Sequence, residues 1–509
     1  MKRKVIIIFI IFVVLAGVLF AFYENSKTKD VLSALEEENV TQKDLKEAKL
    51  TFYFKGAESK AIREVLDEIE KKTKGKLNVK LDFKFINGPT EFYLDTIKNT
   101  INSGQPCDAF FYSSRMDQGL RSLANENLIM DISNVFPQFA PNYFNKLSKE
   151  EINAVSVDKK IYAIPNRLPT TQMRCALVRE DLMEKYKISD IKNYDDYEMY
   201  LKSVKENELD LIPMTFYETT IGLFAEASGY VVMDYLQGLV YKWDDPNTKI
   251  LAWEQTPEFI TGIQTIRRWY EKGYLLKDVG VSQIDESLVT SGKWASFIAP
   301  LDSEFEFNSA LKEKGINWNY KAYPLYPDRI SERDSPLKGA MVFNSNSDNA
   351  ERVMMFYNWL YSNQDNYDLL MYGIEGKHYA LQNNQIKLPE GVEAEDSYSS
   401  WRWRWPFENI DYERVDTSSS EEAVKEYYKK INEKTNYPPH MGFLPDYGAV
   451  GDISTSRAMS YYSTEQKIYT EDLKQEDIDA YIKEQKDSGA SKLIEEIQKQ
   501  FDKWKNENK

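Results

Sequence analysis

The sequence predicts an α/β fold built on a parallel sheet and followed by a more helical C-terminal part. Three observations lead to this prediction. The chain has 509 residues, which exceeds the usual size of one domain and indicates more than one compact unit. From residue 50 onward, alternating strand-like segments and helical segments follow one another in the order β-α-β-α-β. Residues 420–508 are rich in Lys and Glu at helical spacing.

Hydrophobic periodicity places the strands and helices along the chain. The first strand alternates until Lys55 and Gly56 end it, and the next segment carries Ile62, Val65 and Ile69 on one helical face. Strands are predicted at residues 50–54, 77–85, 107–111, 160–164 and 175–178. Helices are predicted at residues 57–73, 92–103, 194–206, 257–272, 284–291, 349–364 and 493–504. Strands joined by crossover helices in this way are typical of a parallel sheet.

Polar residues follow three of the predicted strands at the point where each strand ends. These residues are Lys55, Gly56, Tyr112, Ser113, Asp117, Asn166 and Arg167. Because ligands of open parallel sheets bind beyond the carboxyl ends of the strands, we expect this group to form one binding edge. Ordinary turn chemistry is the alternative explanation for each residue taken singly.

The segment Trp-Arg-Trp-Arg-Trp at residues 401–405 is the most suggestive local pattern. If it is a strand, Trp401, Trp403 and Trp405 face one side, and Arg402 and Arg404 face the other. Indole faces pack on the apolar faces of sugars, and Arg forks bind hydroxyl or carboxylate groups. The pattern therefore predicts a sugar platform, with Trp401 and Trp403 as candidate ligand residues. An aromatic ladder that caps a domain edge is the alternative.

The composition limits the kinds of partner. The formal net charge is -16, which disfavours a nucleic-acid surface because such surfaces need clustered Lys and Arg. The same charge repels anionic lipid headgroups. Aromatic residues make up 14% of the chain, and beyond the needs of a core they supply rings on which sugars stack.

The N-terminus predicts export from the cytoplasm. Residues 1–4 are basic, residues 5–22 form an uninterrupted apolar run, and residues 23–30 are polar. The run reaches the roughly 18 residues that can span a bilayer, and no clean small-x-small cleavage site follows it. We expect residues 1–24 to be an uncleaved membrane anchor or a cleaved signal sequence. Residues 25–48 have little apolar face to bury and predict a flexible stalk.

Signals for catalysis are weak. The two histidines, His378 and His440, have no motif partner, and the sequence contains no G-x-S-x-G, H-E-x-x-H or C-x-x-C pattern. Cys107 and Cys175 are either bridged or buried as free thiols. We therefore predict no catalytic residue, metal or cofactor. A glycosidase that uses paired carboxylates remains an alternative, because its acidic residues leave no distinctive motif.

Several segments, in a shared order, resemble family 1 extracellular solute-binding proteins. Residues 160–165 are similar to the family's G-K-x-Y-A-I-P stretch, with Lys159 in place of the glycine. Further similar segments lie at residues 178–182, 194–198, 291–297 and 357–362. Residues 366–379 closely resemble the LplA-like lipoprotein branch, and the tail, with residues 442–443 and 492–504, is similar to its C-terminal DUF3502 domain. The resemblance spans residues 50–504.

The resemblance implies a two-lobed periplasmic-binding-protein fold of type II. Residues 49–165 and 296–338 would form lobe 1, residues 166–295 and 339–425 lobe 2, and residues 426–509 a helical C-terminal unit. The chain would cross between lobes near Asn166, Trp294 and Gly339. Trp294 is accordingly a further candidate ligand residue, with a place in the core as its alternative.

The function implied is that of the substrate-binding subunit of an ABC importer, which holds an oligosaccharide-like solute between two closing lobes. Its partners would be the solute and the permease subunits, and we expect a monomer. Family members in Gram-positive bacteria usually carry a lipobox Cys, which this chain lacks, so membrane retention would depend on residues 1–24. Two alternatives stay open. One is an anchored sensor that reports to a membrane kinase, and the other is a polysaccharide-active enzyme.

Overall fold

The structure is a computed structural model, and it describes most of the chain beyond the N-terminal segment. The described residues are 45–114, 116, 119–171, 173–216, 219–275, 284, 286–392, 398, 402–415, 421–470 and 474–507. The predicted anchor or signal segment (1–24) and residues 25–44 of the predicted stalk lie outside them. Within the described ranges, no helix combines the length and the apolar character needed to cross a bilayer.

The chain up to residue 165 builds most of one lobe, called lobe 1. Its strands are β1 (Ala48–Lys55), β2 (Val79–Ile86), β3 (Ala109–Tyr112), β4 (Ser156–Val157), β5 (Lys160–Ile161) and β6 (Ala163–Ile164). Its helices are α1 (Ile62–Thr73), α2 (Thr90–Asn102), α3 (Leu120–Asn125), α4 (Val135–Phe139), α5 (Pro141–Phe144) and α6 (Lys149–Ala154). Alternation in β1 buries Leu50, Phe52 and Phe54 completely.

The next part, through residue 335, builds lobe 2. Its strands are β7 (Arg174–Arg179), β8 (Thr215–Phe216), β9 (Tyr230–Asp234), β10 (Leu239–Lys242), β11 (Leu251–Ala252), β12 (Ser296–Pro300), β13 (Tyr320–Pro324) and β14 (Ser331–Glu332). Its α-helices are α7 (Glu180–Tyr186), α8 (Tyr194–Asn207), α9 (Thr220–Phe224), α10 (Pro257–Glu271), α11 (Glu286–Thr290) and α12 (Ser303–Glu313). Helix α10 begins as its sequence predicts, because the side chain of Thr256 accepts a hydrogen bond from Phe259 N and Pro257 occupies the first turn.

The chain then returns to lobe 1 and finally adds helices to lobe 2. The returning elements are β15 (Ala340–Phe343), α13 (Ala350–Leu360), α14 (Gln364–Met371), β16 (Ala380–Gln382), β17 (Gln385–Lys387) and a 3₁₀ helix at Arg402–Phe407. The C-terminal elements are α15 (Glu421–Lys434), β18 (Thr435–Asn436), α16 (Gly451–Thr470), α17 (Gln475–Gln485) and α18 (Ser491–Glu507).

Each lobe is organised around a mixed sheet. In lobe 1 the strand order is β2-β1-β3-β15-β6, with β1 parallel to both β2 and β3 and β15 antiparallel to its neighbours. In lobe 2 the order is β13-β7-β12-β8, with β7 antiparallel to β12 and β13. The predicted α/β fold, with a parallel β1-β2-β3 core, is confirmed.

The strand pairing corrects the predicted division of the chain between lobes. Strand β12 pairs with β7 from Ser296 to Pro300, so residues 296–338 do not belong to lobe 1. Strand β15 pairs with β3, so the segment that begins at residue 339 returns to lobe 1 rather than lobe 2. Trp294 pairs with Ile212 inside lobe 2, and the chain does not cross between lobes there. Strands β12 and β15 are short and apolar, and the sequence of such a strand does not indicate which distant strand it pairs with.

Four segments run side by side between the lobes within the described residues. Arg167 pairs with Asn409, and Thr171 pairs with Arg333. Strand β14 pairs in parallel with β18, which adds the fourth segment. The crossings therefore lie at residues 166–171, 331–339, 408–411 and 435–436, and we call them the crossing segments.

The C-terminal helices are built into lobe 2 rather than forming a separate unit at residues 426–509. Tyr427 and Ile431 of α15 lie in the same core as Phe297. Helices α16 to α18 cover β9–β11, where a fully buried ion pair joins Arg457 to Glu254 at 2.9 Å. The predicted helical C-terminus is confirmed, but its separation from lobe 2 is wrong.

Between β18 and α16 the chain touches lobe 1. A Cβ at Gly442, whose φ is +87°, would lie 2.5 Å from the carbonyl oxygen of Asn153 in α6. Leu444 packs against the core of lobe 1. This segment (437–445), called the strap, thus holds the C-terminal part of lobe 2 against lobe 1.

The two cysteines are free and buried. Cys107 lies in the core of lobe 1 and Cys175 in a core of lobe 2, so the bridged alternative is not formed. Burial raises the pKa of the Cys107 thiol to about 12, which keeps it protonated and unreactive at neutral pH.

Candidate functional site

The carboxyl edge of the lobe 1 sheet faces the crossing segments. At the end of β1, Lys55 is partly exposed and Gly56 has a φ of +130°, with its N–H donated to the Ile86 carbonyl at 3.0 Å. A Cβ at Gly56 would meet no atom within 4 Å. The predicted Lys55-Gly56 pair therefore borders open space at this edge.

The end of β3 is more deeply buried than a ligand platform would be. Tyr112 is 1% exposed and Ser113 is 6% exposed. The phenolic oxygen of Tyr112 accepts a hydrogen bond from Leu120 N, and the N–H of Ser114 donates to the Leu337 carbonyl at 2.8 Å. These residues fix the end of β3 to the second crossing segment. The candidate Asp117 lies outside the described residues.

Asn166, Gly339 and Trp405 meet at the same edge. A Cβ at Gly339 would lie 3.0 Å from Asn166 Nδ2 and 3.3 Å from Trp405 Cβ. The absence of a side chain at Gly339 therefore makes room for both neighbours. The indole of Trp405 is partly buried, 6.2 Å from the Phe111 ring between centroids. The structure thus places the predicted residue Asn166 next to Trp405 at this edge.

One end of the Arg167 guanidinium is already bound within the protein. Its Nη1 donates to Asp411 Oδ2 at 2.7 Å and to Asn409 Oδ1 at 3.1 Å. Its backbone N–H also donates to the Glu408 carbonyl at 2.9 Å. Arg167 therefore joins the first and third crossing segments through Nη1, and its predicted role as a ligand residue stays a prediction.

The tryptophan pattern does not form a strand. Residues 402–407 form a 3₁₀ helix that contains Pro406, so the indoles do not share one face. Trp403 is 2% exposed and packs against Phe54 and Phe85, which excludes it from a ligand surface in this conformation. Trp405 is the member of the pattern that reaches the edge, and Trp401 lies outside the described residues.

Trp294 is likewise a core residue. It is 5% exposed, lies 6.3 Å from Phe297 between ring centroids, and its carbonyl accepts a hydrogen bond from the Tyr320 hydroxyl. The strand after it, β12, lies in the centre of the lobe 2 sheet, and these contacts favour the alternative of a place in the core.

Lobe 2 presents its own polar residues to the crossing segments. Asp302 follows the carboxyl end of β12, and burial raises its pKa against the opposing effect of Lys338. Lys338 Nζ lies 2.9 Å from Asp334 Oδ2 and 3.4 Å from Thr170 Oγ1. Asp302 and Lys338 were not among the residues predicted from the sequence. The strand-end rule would have found Asp302 once residues 296–300 were recognised as a strand.

A cavity of about 460 Å³ adjoins the crossing segments. Its lining comes from both lobes, from three of the four crossing segments and from the strap: Lys146, Ser148, Glu150, Glu151, Asn166, Arg167, Leu168, Pro169, Arg333, Asp334, Ser335, Pro336, Ile410, Tyr428, Asn432 and Tyr437. Because both lobes contribute, its shape depends on how far the lobes are open. The volume falls in the range of small-ligand sites.

Glu408 is a further polar residue that the sequence analysis missed. It lies on the third crossing segment, three residues after Trp405, and is partly exposed. Burial raises the pKa of its carboxyl group to about 8, with nearby Glu413 adding to the shift. No motif marks this glutamate, so only the structure could identify it.

Two sheets joined by several crossing segments, with polar and aromatic residues collected between them, define a two-lobed binding protein. The chain belongs to the bacterial extracellular solute-binding proteins, whose family model matches residues 64–374. This confirms the family expected from the resemblance. The finer placement in the LplA-like branch with a DUF3502 domain stays a prediction.

Two curated relatives are similar along much of the chain. A carbohydrate ABC transporter substrate-binding protein of Streptococcus pneumoniae is 23% identical over 457 residues, which covers 87% of this chain and 88% of the relative. The polygalacturonan/rhamnogalacturonan-binding protein YtcQ of Bacillus subtilis is 20% identical over 327 residues, covering 62% of this chain and 63% of the relative.

Solved structures share the fold. The N-glycan transport solute-binding protein NgtS of Streptococcus pneumoniae is 20% identical, with a TM-score of 0.74 that covers 91% of this chain and 100% of NgtS. Its complex with Man5GlcNAc has a TM-score of 0.63, covering 91% of this chain and 99% of NgtS. These likenesses confirm the predicted two-lobed architecture.

Proposed function

We propose that this protein is the extracytoplasmic substrate-binding subunit of an ABC importer and that it binds an oligosaccharide-like solute between its two lobes. The alignment with the carbohydrate ABC transporter substrate-binding protein carries the proposal, because it extends over 457 residues and includes both lobes. The permease subunits of the importer would be its membrane partners, and the protein would act as a monomer.

The ligand class is supported by the relatives and by the chemistry of the site. NgtS was solved with Man5GlcNAc, and the FusA protein of Streptococcus pneumoniae with kestose. In this chain, Trp405 offers an indole at the lobe 1 edge, and Asn166 offers an amide beside it. An apolar ring face with adjacent hydrogen-bonding groups matches the alternating C–H and O–H surfaces of a sugar.

Closure of the lobes would couple binding to transport. The two glycan complexes of NgtS have TM-scores of 0.63 and 0.64 against this chain, whereas the structure described without a glycan has 0.74. All three are the same protein with the same coverage of this chain, so we interpret the difference as a difference in the arrangement of the two lobes. The arrangement of the lobes in this chain is thus nearer to that of the NgtS structure with the TM-score of 0.74 than to those of the two glycan complexes. A ligand that contacts both lobes only when they close shifts that equilibrium.

Export and retention follow from the N-terminal sequence. In this proposal residues 1–24 carry the protein across the cytoplasmic membrane and either anchor it at the outer face or are cleaved. The protein would bind and release its solute without chemical change, as the names of its relatives describe binding proteins. None of these names describes a sensor or an enzyme, so the relatives give no support to those two alternatives.

Isothermal titration calorimetry with Man5GlcNAc and kestose tests the proposal. We expect saturable binding of at least one glycan, and we expect Trp405→Ala to weaken that binding at least tenfold because it removes the stacking surface. Trp318→Ala is the matched control. This Trp is partly buried, and the Cζ atom of Arg179 lies 4.4 Å from the centroid of its ring. It precedes β13 and lies at the end of the lobe 2 sheet opposite Asp302. Equal loss in both variants, or no binding of either glycan by the unmodified protein, would argue against the proposal.

A further inference from the structure

The strap is fastened to lobe 2 near both of its ends. Close to its start, the Tyr241 hydroxyl of β10 lies 2.8 Å from His440 Nδ1. Just beyond its end, Asp446 N donates to Gln500 Oε1 of α18 at 2.9 Å, and Gln500 Nε2 donates to the Asp446 carbonyl at 2.8 Å. Between these points, Phe443 is 7% exposed and lies in a core to which α18 contributes. The strap therefore moves with lobe 2.

Two residues of the strap contact lobe 1. The position of a Cβ at Gly442, 2.5 Å from the Asn153 carbonyl oxygen, shows that the strap backbone lies directly on α6. Leu444 is partly buried and packs against the core of lobe 1. Adjacent residues of the strap thus belong to different lobes, with Phe443 in a core of lobe 2 and Leu444 against that of lobe 1.

The helix under the strap lies on the side of the crossing segments away from Trp405. Arg167 pairs with Asn409, so the first crossing segment is extended at this point. The Asn166 amide lies beside Trp405 at the lobe 1 edge, whereas Arg167 Nε lies 3.9 Å from Glu151 Oε1 of α6. Consecutive side chains of an extended segment project to opposite sides. Trp405 and α6 therefore lie on opposite sides of this segment.

The cavity of about 460 Å³ supports the same arrangement. Among the described residues, its lining includes Glu150 of α6 and Tyr437 of the strap, and it includes neither Gly56 nor Trp405. The cavity thus opens toward the strap rather than toward the proposed stacking surface. The crossing segments lie between the strap and the lobe 1 edge at Trp405.

This placement determines what happens to the strap when the lobes close. The lobes turn about the crossing segments, so closing the side of Trp405 opens the opposite side. Closure must then move Gly442 and Leu444, which are carried by lobe 2, away from α6 and the core of lobe 1. The contacts of the strap with lobe 1 therefore stabilise the present arrangement of the lobes relative to a more closed one.

We propose that the strap holds the lobes open and that its contacts with lobe 1 set the affinity for the glycan. This inference rests on the proposed function and describes the regulation of its site. Binding of the glycan must supply the free energy that separates the strap from lobe 1, so the apparent affinity is lower than that of the closed form. Weakening the contacts of the strap with lobe 1, without changing the edge at Trp405, should raise the affinity.

Calorimetric titration of Leu444→Ala with Man5GlcNAc tests this inference. We expect the dissociation constant to fall about fivefold, because Ala loses part of the apolar area that Leu444 covers and this loss affects only the open arrangement. Gly442→Ala acts on the second contact, since its Cβ would push the strap away from Asn153, and it should also bind more tightly. A change that merely destabilises the fold would not raise the affinity.

Small-angle X-ray scattering without glycan gives a second readout. If the strap holds the lobes open, the Leu444→Ala protein should have a smaller radius of gyration than the unmodified protein. Ile374→Ala is the matched control for both measurements. Ile374 is also partly buried against the core of lobe 1, but its loop is joined to α1 by the ion pair of Lys377 with Glu64. This variant should keep the dissociation constant and the radius of gyration of the unmodified protein.

Unchanged or weaker binding by both Leu444→Ala and Gly442→Ala would overturn the inference and leave the proposed function intact. An equal gain in affinity in Ile374→Ala would do the same. Failure of Man5GlcNAc and kestose to bind the unmodified protein would remove the proposed function. The scattering of the glycan-free proteins would then decide the role of the strap, with a smaller radius of gyration for Leu444→Ala supporting it and an unchanged one refuting it.

Discussion

Replacing Trp403 with Ala should destabilise lobe 1 strongly. The side chain is 2% exposed and packs with ring centroids 5.4 Å from Phe54, 5.8 Å from Phe83 and 5.8 Å from Phe85. Burial of a Trp side chain removes about 150–250 Å² from water, worth about 4–6 kcal/mol at 25 cal/mol per Å². Truncation of a buried aromatic residue typically lowers the free energy of unfolding by about 3–5 kcal/mol. We expect Trp403→Ala to lower it by an amount in that range.

The conservative variant Trp403→Phe sharpens this prediction. The indole N–H of Trp403 is buried with no acceptor among the described residues, and such a donor costs about 1–3 kcal/mol of desolvation. Phe keeps most of the packing and removes that donor, so Trp403→Phe should lower the free energy of unfolding by less than about 2 kcal/mol. Chemical denaturation followed by circular dichroism measures both variants. A Trp403→Ala protein that keeps its stability but loses glycan binding would refute the core assignment and restore the predicted platform role.

Two further predictions concern the strap and the buried carboxylates. Gly442→Ala should lower the free energy of unfolding by about 1–3 kcal/mol. The reason is that the variant would have a positive φ and a Cβ only 2.5 Å from the Asn153 carbonyl oxygen. An unchanged denaturation midpoint would mean that the strap does not contact lobe 1. Burial and the carboxylate of Glu226 raise the pKa of Glu332 well above its ordinary value. Glu332 is therefore protonated in the folded protein where the unfolded chain ionises, and stability is lost as pH rises above about 4–5. We expect Glu332→Gln to reduce the fall in melting temperature between pH 5 and pH 8, and a fall equal to that of the unmodified protein would contradict this.

Hydrophobic periodicity correctly predicted those helices and strands whose buried face is defined by their own sequence. The predicted helix at 257–272 is found at Pro257–Glu271, and the predicted strand at 107–111 is found at Ala109–Tyr112. Amphipathic spacing survives folding in such segments because one face must be buried whatever the partner is. The division into lobes failed because β12 and β15 derive their place from pairing with β7 and β3, which periodicity does not encode.

The site was predictable as an edge but not as a set of side chains. The strand-end rule placed Gly56 and Asn166 correctly at one edge of the lobe 1 sheet. It could not tell that Arg167 would be held by Asp411, or that a 3₁₀ turn would bury Trp403 and leave Trp405 at the edge. Those outcomes depend on contacts between segments far apart in the chain. Composition and spacing do not specify such contacts.

Small-angle X-ray scattering with and without a saturating glycan, followed by chromatography of the recovered glycan, tests the central claim most directly. If a glycan binds between two lobes that close on it and leaves unchanged, we expect a smaller radius of gyration in the presence of Man5GlcNAc or kestose and full recovery of the intact glycan. A saturated protein with an unchanged radius of gyration, or recovery of cleaved glycan, would contradict it.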